Sequence, residues 1–141
     1  MSVLVTAAAL AFVFSGSAVA ATYTERATQT SGTPSLEYCN EVRTQEAPIG
    51  TQMGLACFQP YGDRFWVKDM RADGYHIEMR AIDSDGKSYR CYEYGTSSAG
   101  WQICDSFHDN IGENKRLFWT VGAYDRDKLI MLSSERVSPT S

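Results

Sequence analysis

The stretch Tyr75-His-Ile-Glu-Met-Arg-Ala81 alternates strictly, with Tyr75, Ile77, Met79 and Ala81 apolar and His76, Glu78 and Arg80 polar. A period of two sends successive side chains to opposite faces of an extended chain, so this pattern demands a strand with one buried and one wet face. Asp73-Gly74 and Asp85-Gly86 bracket it, and Asp-Gly dipeptides supply tight hairpin turns. The same rhythm predicts strands at Phe65–Arg71 before it and at Tyr89–Tyr94, Trp101–Phe107, Arg116–Tyr124 and Leu129–Arg136 after it. A weaker strand is expected near Gln52–Gln59. Seven short strands at a spacing of about ten residues, joined by turns, predict an all-β antiparallel fold. That fold is a β-sandwich or a partly open barrel, with a sandwich preferred. One short helix is expected within Ser35–Glu46, capped by Ser35.

The two ends of the chain frame this domain. An apolar run from Val3 to Phe14 leads into small residues that close on Ala18-Val19-Ala20, the A-x-A pattern accepted by signal peptidase. Residues 1–21 are therefore expected to be a cleaved signal peptide, although no Lys or Arg precedes the run. The run is too short to span a bilayer comfortably. Residues 22–35 are rich in Thr and Ser and punctuated by Gly32 and Pro34, so a flexible N-terminal tail is expected there. A second polar tail is expected at 138–141, leaving 36–137 as a single domain. The net charge of −4 falls wholly after the leader, because Met1–Ala21 carries no charged side chain. An acidic chain whose nearest basic cluster is Lys115-Arg116 is a poor partner for nucleic acid.

Cys39, Cys57, Cys91 and Cys104 make an even set, which in an exported chain reads as two disulfides. No close pair with zinc-site spacing and no C-x-x-C redox motif is present. Cys91 stands four residues before Gly95, and Cys104 stands four residues after Gly100. A hairpin looping over 95–100 would place the two cysteines opposite each other on one ladder. The same register opposes Tyr94 to Trp101, Glu93 to Gln102, Tyr92 to Ile103 and Arg90 to Asp105, all plausible cross-strand pairs. The expected bridges are thus Cys91–Cys104 and, by remainder, Cys39–Cys57. The hairpin would have an aromatic face (Tyr92, Tyr94, Trp101) and a disulfide face (Cys91, Glu93, Gln102, Cys104). Burial of the aromatic face is expected, with the disulfide on the wet side. The alternative presents Tyr92, Tyr94 and Trp101 as a binding platform for sugar rings.

His76, Glu78 and Arg80 share one strand face, spaced by about 7 Å. A histidine, a carboxylate and a guanidinium so placed can act as acid, base and phosphate clamp. The set resembles the one borne on the sheet of small secreted guanyl-specific ribonucleases, without their surrounding motifs. A solvated strand face is the plainer account. His108-Asp109 is a second acid–base element, set in a turn-like stretch. Asp83-Ser-Asp85-Gly86-Lys87 begins like a calcium loop, making Asp83 and Asp85 candidate ligands, but the distal ligands are missing and a β-turn explains it better. No nucleophile elbow, zinc-protease helix, phosphate loop or dinucleotide glycine set occurs. No cofactor is expected.

The segment Ala56-Cys-Phe-Gln-Pro-Tyr-Gly-Asp-Arg-Phe-Trp-Val-Lys-Asp69, followed by Ala72-Asp-Gly74, resembles one found in small secreted two-disulfide β-domain proteins of Gram-positive bacteria with no assigned activity. The resemblance runs from Cys57 to Cys104. It implies export and a compact β domain and assigns no catalytic residue. The functional expectation is a secreted, monomeric, non-catalytic module that binds a glycan, a cell-envelope component or a protein. The alternatives are a protease inhibitor presenting loop 95–100 and a small hydrolase or ribonuclease-like enzyme using His76, Glu78 and Arg80.

Overall fold

A computed structural model describes residues 20–141 apart from Ala47 and Thr96. The expected signal peptide lies, up to residue 19, outside the described residues. The strands are β1 (Thr22–Arg26), β2 (Thr28–Gln29), β3 (Cys39–Arg43), β4 (Gln52–Gln59), β5 (Arg64–Asp69) and β6 (His76–Asp83). They continue with β7 (Ser88–Tyr92), β8 (Gln102–Cys104), β9 (Arg116–Asp125), β10 (Lys128–Leu132) and β11 (Arg136–Pro139). The front sheet runs β1-β7-β6-β9-β10, with β11 also paired to β9, and the back sheet runs β2-β8-β5-β4-β3. The two sheets pack into a sandwich with open edges rather than a closed barrel. Every ladder is antiparallel except β1–β7.

The core follows from the alternation. Ile77, Met79 and Ala81 of β6, with Tyr89 and Cys91 of β7 and Trp119, Val121 and Ala123 of β9, point inward from the front sheet. Ala56, Phe58, Phe65 and Val67 meet them from the back sheet. Phe65 sits at the centre, with ring centroids 5.3 Å from Phe58 and 5.0 Å from Phe107. Each such buried ring removes enough apolar surface to stabilise the fold by roughly 2–3 kcal/mol. Gly54 of β4 lets the sheets approach closely, because a Cβ there would lie within 3.0 Å of three Ile77 side-chain carbons.

Each of the seven expected strands has a counterpart, although Trp101–Phe107 shortens to β8 and Leu129–Arg136 divides into β10 and β11, and three further expectations need correction. The Ser35–Glu46 helix is absent, and its place is taken by a turn and β3, where Cys39 lies directly across from Cys57. Residues 22–35 are no free tail. β1 pairs in parallel with β7, β2 pairs with β8, and the chain then crosses the back sheet, where Gly32 lies against the Trp66 ring and Pro34 is buried. Polar composition suits a strand at a wet sheet edge, where backbone hydrogen bonds and not apolar side chains hold it. Residues 138–141 are likewise anchored: the Trp119 Nε1–H donates to Ser138 Oγ at 2.9 Å, and the Lys115 N–H donates to Thr140 Oγ1 at 2.8 Å.

The third correction concerns the stapled hairpin. Both expected disulfides form, and no described cysteine is free. Yet β7 belongs to the front sheet and β8 to the back sheet, so Cys91–Cys104 bridges the two layers with a Cα separation of 5.9 Å. The cross-strand bridge is the other one, Cys39–Cys57, with Cα atoms 4.0 Å apart. The expected ladder pairs do not exist. β1 occupies the free edge of β7, β2 and β5 occupy the edges of β8, and Asp105 accepts instead from Arg64 at 2.8 Å.

Candidate binding face

The outer surface of the front sheet is ordered by register into rows that run across the strands. His76 of β6 stands beside Tyr124 of β9, and the Tyr94 ring rests on His76 at 4.6 Å between centroids. The next row is Arg26, Tyr92, Glu78 and Gly122. Beyond it lie Thr24, Arg90, Arg80 and Thr120, and then Thr22, Ser88, Ile82 and Phe118. The polar face expected from the alternation of β6 is therefore real, but much of it is covered by its own neighbours.

Glu78 is wholly buried and His76 is 4% exposed. One Glu78 oxygen accepts from His76 Nε2 at 2.8 Å and from Arg90 Nη2. The other accepts from Arg80 Nε at 2.9 Å and Arg90 Nε at 3.0 Å. Burial alone would raise the pKa of this carboxyl, but the donors from Arg90, His76 and Arg80 outweigh it and hold the value below the usual range. The tyrosines complete the arrangement. Arg90 lies over the Tyr92 ring at 4.7 Å, Arg80 over Tyr124 at 4.6 Å and Arg26 over Tyr94 at 5.7 Å. Each guanidinium is thus held by a ring face, and Arg80 and Arg90 are held by the carboxylate edge as well.

This geometry decides what the cluster can do. A general base needs an oxygen lone pair that can reach a substrate proton. Glu78 has none to spare, because its two oxygens already face five donor nitrogens of His76, Arg80 and Arg90 and no part of it meets solvent. His76, Glu78 and Arg80 are brought together as expected, in a clamp that orients arginines. His108 does not join them. It sits beyond β8, with Nδ1 2.7 Å from the Asp105 carbonyl, in a cleft with Tyr61, Arg64 and Glu113. The adjacent Asn110 carbonyl accepts from Lys87 and Tyr89, which places this turn at the Asp83 end of β6, about 20 Å of strand from His76.

The other candidates also find definite places. Asp83 accepts from the Asp85 and Lys87 N–H groups through one oxygen and from the Tyr89 hydroxyl through the other, while Asp85 pairs with Lys115. That is a turn cap, and no group of three potential metal ligands occurs among the described residues. The face sorting of the expected hairpin is reversed: Cys91, Glu93 and Cys104 are completely buried and Gln102 nearly so, whereas Tyr94 is 52% exposed and Tyr92 and Trp101 are half-buried. Glu93 survives inside because its oxygens accept the Ile77 N–H, the Gly95 N–H and Gln102 Nε2, although burial still raises its pKa. Tyr92 and Tyr94 share the front face, but Trp101 lies on the back sheet under Lys68, 5.8 Å from its ring centroid. The platform of three aromatics is therefore split. Arg26, Arg90 and Tyr124 were missed as members of the front face. The signal was present for Arg90 and Tyr92, which alternate with the buried Tyr89 and Cys91 along β7.

Fold and face together define a two-disulfide antiparallel β-sandwich with an arginine–tyrosine surface on one sheet. Compared with protein-family models, with curated proteins and with solved structures, the chain finds no match.

Proposed function

We propose that this chain is an exported, non-catalytic binding domain whose ligand-facing surface is the outer front sheet, and that its ligand is a glycan or glycan-bearing component of a cell envelope. The observation that carries this reading is a set of tyrosines held in place by arginines beside exposed apolar side chains. Ile82, Tyr94, Leu129, Leu132 and Val137, each between 45% and 52% exposed, gather on that one surface. An apolar, aromatic area on a small domain marks a contact surface, and rings already fixed by stacking lose little freedom on binding. Export is supported by the apolar leader with its A-x-A site and by two disulfides.

The alternatives have less support. Within loop 95–100, of which Thr96 lies outside the described residues, Ser97–Ala99 form a 3₁₀ turn whose Ala99 carbonyl accepts from Gln29, and a 3₁₀ turn is not the extended segment that a protease cleft takes. The acid–base reading asks Glu78 to exchange a proton while all its lone pairs are engaged. The test is co-sedimentation and calorimetric titration of residues 22–141 with purified envelope polysaccharide. Tyr92→Ala/Tyr94→Ala is expected to weaken binding about tenfold or more, at roughly 1 kcal/mol per ring, with little change in Tm. Undiminished affinity in that variant would refute the assignment of this face.

A further inference from the structure

Arg80 and Arg90 are direct cross-strand partners, and like charges set opposite each other destabilise a ladder unless something neutralises them. Glu78 supplies one negative charge for the two. Both guanidiniums turn the same edge, Nε and Nη2, to that carboxylate, and among the described residues neither Nη1 meets an acceptor. On the ladder the arginines are flanked by Thr24 and Thr120, while their guanidiniums reach back over Tyr92 and Tyr124. This row opens into a cleft of about 580 Å³ that also holds Ser88 and, at its rim, Glu135. Counting Arg26 and Glu135, the face carries three guanidiniums against two carboxylates, on a chain whose net charge is −4. Two arginines and the threonines beside them, lining one partly apolar cleft, are complementary to an oxyanion attached to a polyhydroxylated ring.

We infer that the cleft between Arg80 and Arg90 binds the carboxylate, sulfate or phosphate group of an acidic saccharide. The inference rests on the glycan reading of the face and deepens it by naming the charge of the ligand. Glu78 acts here as a positioning residue: it holds the two forks parallel, and the bound oxyanion supplies the second counter-charge. Glu135, exposed at the rim, opposes the anion.

The test is titration of the intact domain, followed by arginine Nε–Hε and backbone amide NMR. The probes are a polyuronate, a sulfated and a phosphorylated oligosaccharide, a neutral oligosaccharide and inorganic sulfate. The expected result is at least tenfold tighter binding of one acidic oligosaccharide than of the neutral one. The Arg80 and Arg90 signals and the Thr24 and Thr120 amides should shift, and affinity should fall as salt rises. Arg80→Lys, which keeps the charge beside Glu78 but not the fork, should lose most of the preference. Glu135→Gln, remote from the core, should bind the acidic probe two- to threefold tighter. Which acidic probe wins identifies the oxyanion. Equal, Tyr94-dependent affinity for neutral and acidic probes, unmoved by either variant, would overturn the inference and leave the glycan reading standing. Sulfate shifting the arginine signals while no saccharide binds would leave an adventitious ion only and overturn both the inference and the glycan reading on which it rests. Arginine signals that no probe moves would overturn the inference outright.

Discussion

Glu78 and Asp63 are both buried carboxyls, and their surroundings push them in opposite directions. Glu78 is held below its ordinary pKa by Arg90, His76 and Arg80 against the effect of burial. A depressed folded-state value stabilises the fold above the unfolded pKa, and that stability is lost as pH falls through the folded value. Glu78→Gln leaves two guanidiniums with half their acceptor capacity, so it is expected to cost roughly 2–4 kcal/mol at neutral pH. The cost should shrink in acid, as read from urea midpoints across pH. Asp63 lies in the loop before β5 with φ of 47° and an Oδ1 that has no partner among the described residues. Burial raises its pKa to about 6, despite the favourable charge of His108. Here the folded state holds the proton more tightly, so stability is lost as pH rises from the ordinary value toward 6. Asp63→Asn, which tolerates the left-handed backbone, should stabilise the fold by about 1–2 kcal/mol above pH 6 and by nothing below about pH 4. A constant difference across that window would contradict the assigned shift.

At the scale of elements, the disulfides show how much of the fold was legible and where legibility stopped. The alternation of Tyr75–Ala81 was legible because a two-residue period is a local property of the strand, but its polar face was expected to be wet, and His76 and Glu78 are buried there by neighbours that the period does not reveal. Cys91–Cys104 was paired correctly from spacing, yet the spacing is equally compatible with a ladder and with a crossing between layers. What decided it was β1 and β2, which take the edges of β7 and β8. Those strands were invisible because edge strands held by backbone hydrogen bonds need no apolar alternation. The wet and buried faces were inverted for the same reason, since a bridge between layers must lie inside. Each bridge should contribute about 3 kcal/mol through chain entropy. Cys91→Ala/Cys104→Ala also opens a void between two wholly buried positions. It is therefore expected to lower the denaturant midpoint further than Cys39→Ala/Cys57→Ala, and the reverse order would contradict the interlayer placement.

For the whole molecule, the N-terminal segment behaves as a clasp that joins the edges of both sheets. Deleting residues 22–35 should uncover Trp66, now 5% exposed, and free the edge of β7. The expected outcome is a red-shifted tryptophan emission and self-association, as unpaired edges invite; an unchanged spectrum and a monomer would show the segment to be dispensable. The binding face was only partly legible. Tyr92 and Tyr94 were named from their hairpin, but Arg26 and Tyr124 reach the same surface from β1 and β9, a juxtaposition that only topology creates. Trp101, seven residues after Tyr94, ended on the other sheet. That separation permits the most direct test of the claim that the front sheet carries function. Affinity for envelope polysaccharide should be compared between Tyr94→Ala and Trp101→Ala domains of equal Tm. The account predicts a loss of about five- to tenfold for Tyr94→Ala, at roughly 1 kcal/mol for the ring, and wild-type affinity for Trp101→Ala. Loss on Trp101→Ala with Tyr94→Ala unaffected would place the binding surface on the back sheet and contradict it.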